Sequence, residues 1–316
     1  MSQESLLPIH FAPLQGYTDA IYRNAHASFF GGVTAYYTPF VRYEKGRFRP
    51  KDIRDIDPQN NSSNKIIPQL IASNIHETTS ILDLFIDKGY RKVDINFGCP
   101  FPLLAKRHYG SGILPYPKEI ESILTATEQY PEIDFSIKMR LGWEHPNECL
   151  ELAPMLNDTR LSSICLHPRL GKQQYKGAVD LEGFAAFHAI SKHPLIYNGD
   201  LLTIEDINHV SNLFPNLSGI MIGRGLLAHP ALALEYSHSQ TLPNDVIKEQ
   251  LYLFHHEVFT KNQERLEGGD GQLLMKMKTF WEYLLPELDR KLKKNISKST
   301  TIDKYRQSVS TLWNKL

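Results

Sequence analysis

The run Val93-Asp94-Ile95-Asn96-Phe97-Gly98-Cys99-Pro100 carries an amide and then a thiol into a glycine and proline turn at the end of a β-type apolar stretch. A thiol just past a buried strand is held by the sheet behind it, while the following loop, Phe101 to Gly112, is expected to move over a substrate. Such a cysteine can donate or accept a proton. A lone cysteine is more often a small buried apolar residue, but Asn96 and the flanking Gly98 and Pro100 favour a chemical role for Cys99. Other β-type runs end in polar groups too: Ala12-Pro13-Leu14, Gln69, Lys138 with Arg140, His167 with Arg169, Asn198-Gly199-Asp200, and Gly223-Arg224. Each alone has a plain structural explanation, such as a solvated strand end or a turn that satisfies its own backbone. Gathered at one mouth, they would be costly to bury without a ligand.

Eight such runs set these residues: Ile9 to Leu14, Ala35 to Phe40, Lys65 to Ala72, Lys92 to Gly98, Asp134 to Leu141, Ser162 to Pro168, Pro194 to Asp200 and Ser218 to Arg224. Helical stretches separate nearly all of them, among them Asn74 to Lys88, Pro117 to Gln129, Glu148 to Leu156, Leu181 to Ser191 and Thr203 to Leu213. Alternation of this kind predicts an α/β fold, a TIM (β/α)8 barrel, with Arg42 to Asn64 as a polar excursion. Barrels place reactive residues where strands end and βα loops begin. From about Asn244 the pattern changes. Leu251, Phe254 and Val258, then Leu273, Leu274, Met277, Phe280, Trp281 and Leu284, recur at helical spacing. The expected organisation is a catalytic barrel over 1–240 and an all-helical C-terminal domain over 241–316.

Among 316 residues, 35 basic and 35 acidic side chains cancel, so overall charge announces no nucleic acid. Its distribution is uneven: from Ser237 onward 13 Lys and Arg face 10 Asp and Glu, against 22 and 25 before it. Cys99, Cys149 and Cys165 are an odd number without metal-ligand spacing, which predicts a reducing compartment, no disulfide framework and no metal site. Met1 to Pro8 contains acidic Glu4 and no basic stretch ahead of an apolar one, and no run approaches membrane-spanning length. The expectation is a cytoplasmic protein away from membranes, a monomer with no protein partner implied.

The last two strand ends carry the most interpretable geometry. Asn198-Gly199-Asp200 and Gly223-Arg224-Gly225 offer glycines that let backbone N–H groups approach an anion, and a guanidinium that can grip a phosphate. This is the usual phosphate corner of such a barrel. With a cation at Lys138 and an amide at Gln69, a flat phosphorylated heterocycle can lie across the mouth, and flavin mononucleotide (FMN) fits that outline. Sugar phosphates use the same corner.

Taken together, the chain resembles the flavin-dependent tRNA-dihydrouridine synthases over nearly its whole length. The resemblance rests on Ala12-Pro13-Leu14 with Gly16 and Thr18-Asp19, Gln69-Leu70, Asp94 through Pro100, Lys138-Met139-Arg140-Leu141-Gly142, His167 with Arg169, Tyr175 and Gly177, Asn198-Gly199-Asp200, and Met221-Ile222-Gly223-Arg224-Gly225. It implies that Gln69, Lys138, His167, Asn198, Gly199, Asp200, Gly223 and Arg224 hold FMN, that Asn96 contacts uracil, that Cys99 is the general acid, and that the C-terminal helices grip tRNA. Thr38 to Arg42 and Met275 to Trp281 look closer to the bacterial branch acting on position 16 of the D-loop. Leu14 stands where the family usually has Met, and Pro168-Arg169-Leu170 stands where Gly-Arg-Thr is common, which stiffens that turn and removes a hydroxyl. The loop after Cys99 reads Tyr109-Gly110-Ser111-Gly112-Ile113, where small residues are commoner.

Uracil's C5=C6 bond is conjugated to the C4 carbonyl, so hydride at C6 leaves enolate-like charge that a proton quenches at C5. A hydride donor and an acid are needed on opposite faces, and Cys99 is placed for the second role. Lys138 and Arg140 can stabilise developing charge, and Arg140 and Arg169 are expected to contact the substrate. No dinucleotide fingerprint is visible, so NADPH or NADH is expected to visit the same mouth. A uridine inside folded RNA must be extruded, and backbone phosphates supply the affinity. Between Pro286 and Leu316 eight basic residues, Lys291, Lys293 and Lys294 among them, face three acidic ones. A free-pyrimidine enzyme of the dihydroorotate dehydrogenase kind would share the barrel but not the basic tail. A tRNA-binding protein without turnover would not need Cys99, Lys138 and His167.

Overall fold

A computed structural model describes residues 6–63 and 65–316. Met1 to Ser5, part of the stretch in which no leader is expected, lie outside these residues, as does Asn64 at the end of the polar excursion. Parallel strands Ile9–Phe11, Ala35–Tyr37, Ile66–Ile67, Gln69–Leu70, Lys92–Phe97, Asp134–Gly142, Ser163–Leu170, Leu195–Tyr197 and Gly219–Ile222 form one sheet. Its two ends are Ile66–Ile67 and Gln69–Leu70, consecutive pieces of chain on either side of Pro68. The sheet therefore returns on itself as an eight-stranded barrel whose third strand is broken at a proline. The Pro68 carbonyl still accepts from Asp94 N–H at 3.0 Å, so the missing donor costs no ladder bond on that side. The excursion contains a short antiparallel pair, Tyr43–Glu44 with Arg47–Phe48.

The strands are buried on both faces, and the period-two alternation of side chains decides what each face receives. Along Lys92–Phe97, Val93, Ile95 and Phe97 join the large apolar core together with Ile81, Phe85 and Ile120 from the surrounding helices. Asp94 and Asn96 point the other way, into the barrel. Ser136, Lys138 and Arg140 do the same on the next strand, while Phe135, Ile137 and Met139 join the core. Each buried Val, Ile or Phe contributes about 1.5–3 kcal/mol, and that apolar set fixes the register that turns the polar set inward.

Side chains close the helix starts where the sequence offers them. Asn74 caps Ile75–Asp87, Asp180 caps Leu181–Ile190, and Thr203 with Asp206 forms a capping box on Ile204–Leu213. The expected helices lie within a few residues of those observed. Pro168 sits inside Ser163–Leu170 where the ladder to Asp134–Gly142 shifts register, so the irregularity falls where a backbone donor is missing. Its carbonyl accepts from Asp180 N–H at 2.8 Å and ties the strand to the next helix.

Four C-terminal helices, Asn244–Arg265, Gly269–Phe280, Arg290–Lys298 and Ile302–Trp313, follow the barrel, and the first of them packs against the first barrel helix, Ala20–Phe29. The Phe254 ring meets Tyr22 and Phe30 edge-on at 5.1 and 5.4 Å, and one apolar core runs through barrel and helices. Asp19 fastens the junction. It caps Ala20–Phe29 through Tyr22 N–H, and its carboxylate pairs with Arg265 at 3.0 Å and Lys276 at 3.1 Å. Burial alone would raise its pKa, but the Lys276 and Arg265 charges hold it at about 2. Asp19→Ala is expected to cost about 1–2 kcal/mol in urea unfolding at neutral pH. Because the folded pKa is depressed, that stabilisation is complete above the ordinary value of 3.8 and is lost as pH falls through about 2. An unchanged midpoint would show the junction held by apolar packing alone.

Candidate active site

Three adjacent strands bring Gln69, Asp94 and Ser136 into register, and one step nearer the mouth Asn96 faces Lys138. Asp94 accepts from Gln69 Nε2 at 2.6 Å and from Ser136 Oγ at 2.6 Å. Gln69 Oε1 then accepts from Asn96 Nδ2 at 2.7 Å. Asn96 Oδ1, left free by that bond, accepts from the backbone N–H of Gly98 at 3.0 Å and of Cys99 at 2.8 Å. The turn bearing the thiol is thus tied to the barrel interior through two amides. From the other side the Cys99 carbonyl accepts from Ser111 N–H and Oγ, both at 3.0 Å. Gly110, at φ +59°, lies so close that a Cβ there would come within 2.7 Å of the Cys99 Cβ, so no side chain is tolerated.

These bonds alter the expectation for Phe101 to Gly112. Leu104 and Tyr109 are buried against Phe40 and Ile71, and Tyr109 Oη donates to Glu77 at 2.7 Å, so the loop is anchored. Phe101 and Leu103 are exposed at its tip. Burial raises the Cys99 pKa above the ordinary thiol value, and the Phe101 backbone N–H and the Arg140 and Lys138 charges offset only part of it. At neutral pH Cys99 carries its proton.

Lys138 lines the same cavity, its pKa lowered chiefly by burial. His167 is buried and pushed well below its ordinary value, first by desolvation and then by Arg140, Lys138 and Arg169, so its imidazole is neutral. Arg140 is almost wholly buried and donates to the carbonyls of Gly98, Leu170 and Gln174 at 2.7–3.0 Å. Its pKa, lowered to about 10 chiefly by burial, leaves it charged. It clamps the Cys99 turn to the loop carrying Tyr175, and supplies charge with few donors to spare.

At the expected phosphate corner Asn198 Nδ2 donates to the Met221 carbonyl at 2.8 Å, and Gly223 opens the short helix Arg224–Ala228. Gly225 has no room for a Cβ beside the Leu201 carbonyl. The Asp200 carboxylate accepts from Arg169 and, at 2.8 Å, from Arg224, whose guanidinium lies 4.6 Å from the centroid of the Tyr175 ring. Its pKa is lowered first by the Arg169 hydrogen bonds. Two guanidinium groups share one carboxylate, so the corner keeps a net positive charge.

A cavity of about 370 Å³ joins these groups, with Ala12, Pro13, Leu14, Gln69, Asn96, Cys99, Lys138, Arg140, His167, Asn198, Gly199, Asp200, Gly223 and Arg224 on its wall. Arg169 is absent from that wall; it lies behind it, bonded to Asp200 and the Gly177 carbonyl. Lys291, Lys293 and Lys294 belong to Arg290–Lys298 and do not line the cavity. Tyr17, Tyr175 and Tyr283 do line it, although spacing alone does not single them out as site residues. Tyr175 follows a polar loop with no strand to announce it, and Tyr283 comes from the C-terminal part.

The architecture is an α/β barrel with a polar mouth and C-terminal helices at its rim. It is similar to that of the solved morphinone reductase, with a TM-score of 0.53 at 14% identity over 78% of this chain and 91% of that one, a likeness of fold alone. In sequence, the family description "Dihydrouridine synthase (Dus)" matches residues 10–312, and the chain belongs to that family. The tRNA-dihydrouridine(16) synthase of Pseudomonas syringae pv. tomato is 28% identical over 291 residues, 89% of this chain and 84% of that one. The tRNA-dihydrouridine synthase B of Pasteurella multocida is 26% identical over 71% of this chain and 67% of that one. That of Vibrio cholerae is 31% identical over 52% of each. The aligned part thus spans about half to two thirds of the synthase B sequences. Among the described residues no helix is long and apolar enough to cross a membrane.

Proposed function

We propose that the chain reduces uridine to dihydrouridine in the D-loop of tRNA with FMN as cofactor and NADPH or NADH as reductant. The observation that carries this reading is Cys99, its backbone fixed through Asn96, on one wall of a cavity whose other end is the cationic corner at Arg224. That corner fits a flavin phosphate, with Asn198, Gly199, Asp200 and Gly223 around it, and Gln69, Lys138 and His167 fit the ring system, next to Ala12, Pro13 and Leu14. FMN held there and reduced would supply the hydride for uracil C6. Cys99 then gives its proton to C5, and the Arg140 and Lys138 charges lower the cost of the negative charge that builds on the pyrimidine. Asn96 reads the uracil edge through its second amide N–H, the one that neither Gln69 nor the backbone takes up. In this reading residues 1–240 are the catalytic unit and 241–316 the tRNA-binding unit of a cytoplasmic monomer.

The test is mass mapping of dihydrouridine in tRNA incubated with the purified yellow protein and NADPH, or taken from a deletion strain. The long alignment with the position-16 enzyme makes that position the first to examine. Turnover on free pyrimidines without tRNA would favour a dihydroorotate-type enzyme, and binding of tRNA without product would favour a non-catalytic role. Reversing charge at Lys291, Lys293 and Lys294 is expected to weaken tRNA binding and to lower the salt slope by about one for each phosphate no longer neutralised. FMN content should stay the same. A triple variant with wild-type affinity at several salt concentrations would remove this helix from the RNA surface.

A further inference from the structure

We propose that Asp94 is a positioning residue whose buried carboxyl sets the donor–acceptor sense of the Gln69–Asn96 relay and thereby supplies the acceptor that holds the Cys99 turn. The proposal deepens the functional reading above and rests on it for the role of Cys99. Asp94 is fully buried, lies outside the cavity lining and reaches it only through Gln69. Its influence comes from which atoms can donate. Its oxygen facing Gln69 only accepts, so Gln69 must turn its NH2 toward Asp94 and its oxygen toward Asn96. That oxygen also only accepts, so Asn96 must present its own NH2 and keep Oδ1 for two backbone donors, Gly98 and Cys99 N–H.

Without the first acceptor Gln69 is free to reverse and to turn its NH2 on that of Asn96, whose sense is then held by the Gly98 and Cys99 N–H groups alone. A reversed Asn96 would point NH2 at two N–H groups, donor against donor, at the residue that must deliver a proton. Buried polar chains of this kind are costly when half satisfied, so the sense is propagated along them. Ser136 bonds the other carboxyl oxygen and can either donate or accept. The relay therefore needs an acceptor at one oxygen of residue 94, not a full charge. Burial lifts the Asp94 pKa to about 7, and a proton placed on the oxygen facing Ser136 leaves the Gln69 bond intact.

This distinguishes Asp94→Asn from Asp94→Leu. The asparagine keeps an oxygen for Gln69 and offers NH2 to Ser136; the leucine has similar bulk and offers nothing. Hydrogen exchange at the Gly98 and Cys99 amides, measured with FMN added, is expected to accelerate about tenfold or more in Asp94→Leu and to stay within about threefold of wild type in Asp94→Asn. Dihydrouridine formation should follow the same order. Gln69→Leu cuts the relay one link nearer the mouth and should expose the same amides, and Asp94→Leu added to it should change nothing further. Equal losses in the Asn and Leu variants, retained protection in Asp94→Leu, or additive effects with Gln69→Leu would each overturn the proposal. Should Asp94→Leu not fold, retained protection in Gln69→Leu overturns it equally. A wild-type protein that makes no dihydrouridine would fault the functional reading, while the exchange data would still decide the relay.

Discussion

Cys99→Ala is expected to lower dihydrouridine formation on tRNA by about 100-fold or more, the loss typical of a removed general acid, while FMN content and NADPH oxidation without tRNA stay near wild type. The separation follows from where the thiol sits. Cys99 lies on the loop side of the cavity, and the cationic corner that fits the phosphate is built from different strands. Its raised pKa gives the sign of the pH dependence: the donor is intact through neutral pH and product formation falls only as pH climbs past the ordinary thiol range. Cys149 and Cys165 are buried, with pKa values pushed up to about 12 chiefly by desolvation, and neither lines the cavity. Their alanine variants should keep turnover. Equal losses at all three cysteines, read as product per enzyme in single-turnover assays, would refute a proton donor at Cys99.

Arg224→Ala is expected to weaken FMN binding by about 100-fold, since a charge-assisted bond contributes roughly 1.5–3 kcal/mol and a phosphate can take two from one guanidinium. Fluorescence titration of the flavin-free protein measures it directly. The effect is amplified by Asp200, which in the wild type is shared by Arg169 and Arg224. Removing Arg224 leaves one guanidinium against one carboxylate, so the corner loses its net charge as well as a donor. Arg224→Lys should recover part of the affinity, because it restores charge without the planar fork. If the alanine variant binds FMN as tightly as wild type, the phosphate lies elsewhere.

Each of the eight β-type runs contains barrel strand because inward and outward faces are both buried and leave an apolar record. The break at Pro68 does not disturb that record, since Ile66, Ile67 and Leu70 flank it. Ala20–Phe29 is harder to see: it buries Arg23 and His26 among its apolar residues, which blurs the stripe. The polar strand ends are legible individually, and the cavity gathers nearly all of them. Their pairings are not. Arg169 reads as a substrate contact until the neighbouring strand places Asp200 against it, and Arg140 reads as a free cation until three backbone carbonyls are found around it. The mobile loop expected after Cys99 is anchored by Ser111, Tyr109 and Gly110, contacts that depend on tertiary closeness alone.

Leu14 to Asp19 is the stretch of rim that the C-terminal helices grip. Lys276 donates to the Gly16 carbonyl at 2.9 Å, Tyr17 Oη donates to Glu282 at 2.7 Å, and the Tyr17 and Tyr283 rings meet at 5.2 Å. For anyone recombining relatives this defines the smallest transplantable module. Grafting foreign helices onto this barrel would strand Gly16, Tyr17 and Asp19 without their partners and set a new side chain where Tyr283 now borders the cavity. A chimera that carries the rim from Leu14 to Asp19 along with the helices keeps both halves of the handshake, so two distant pieces of sequence have to move as one.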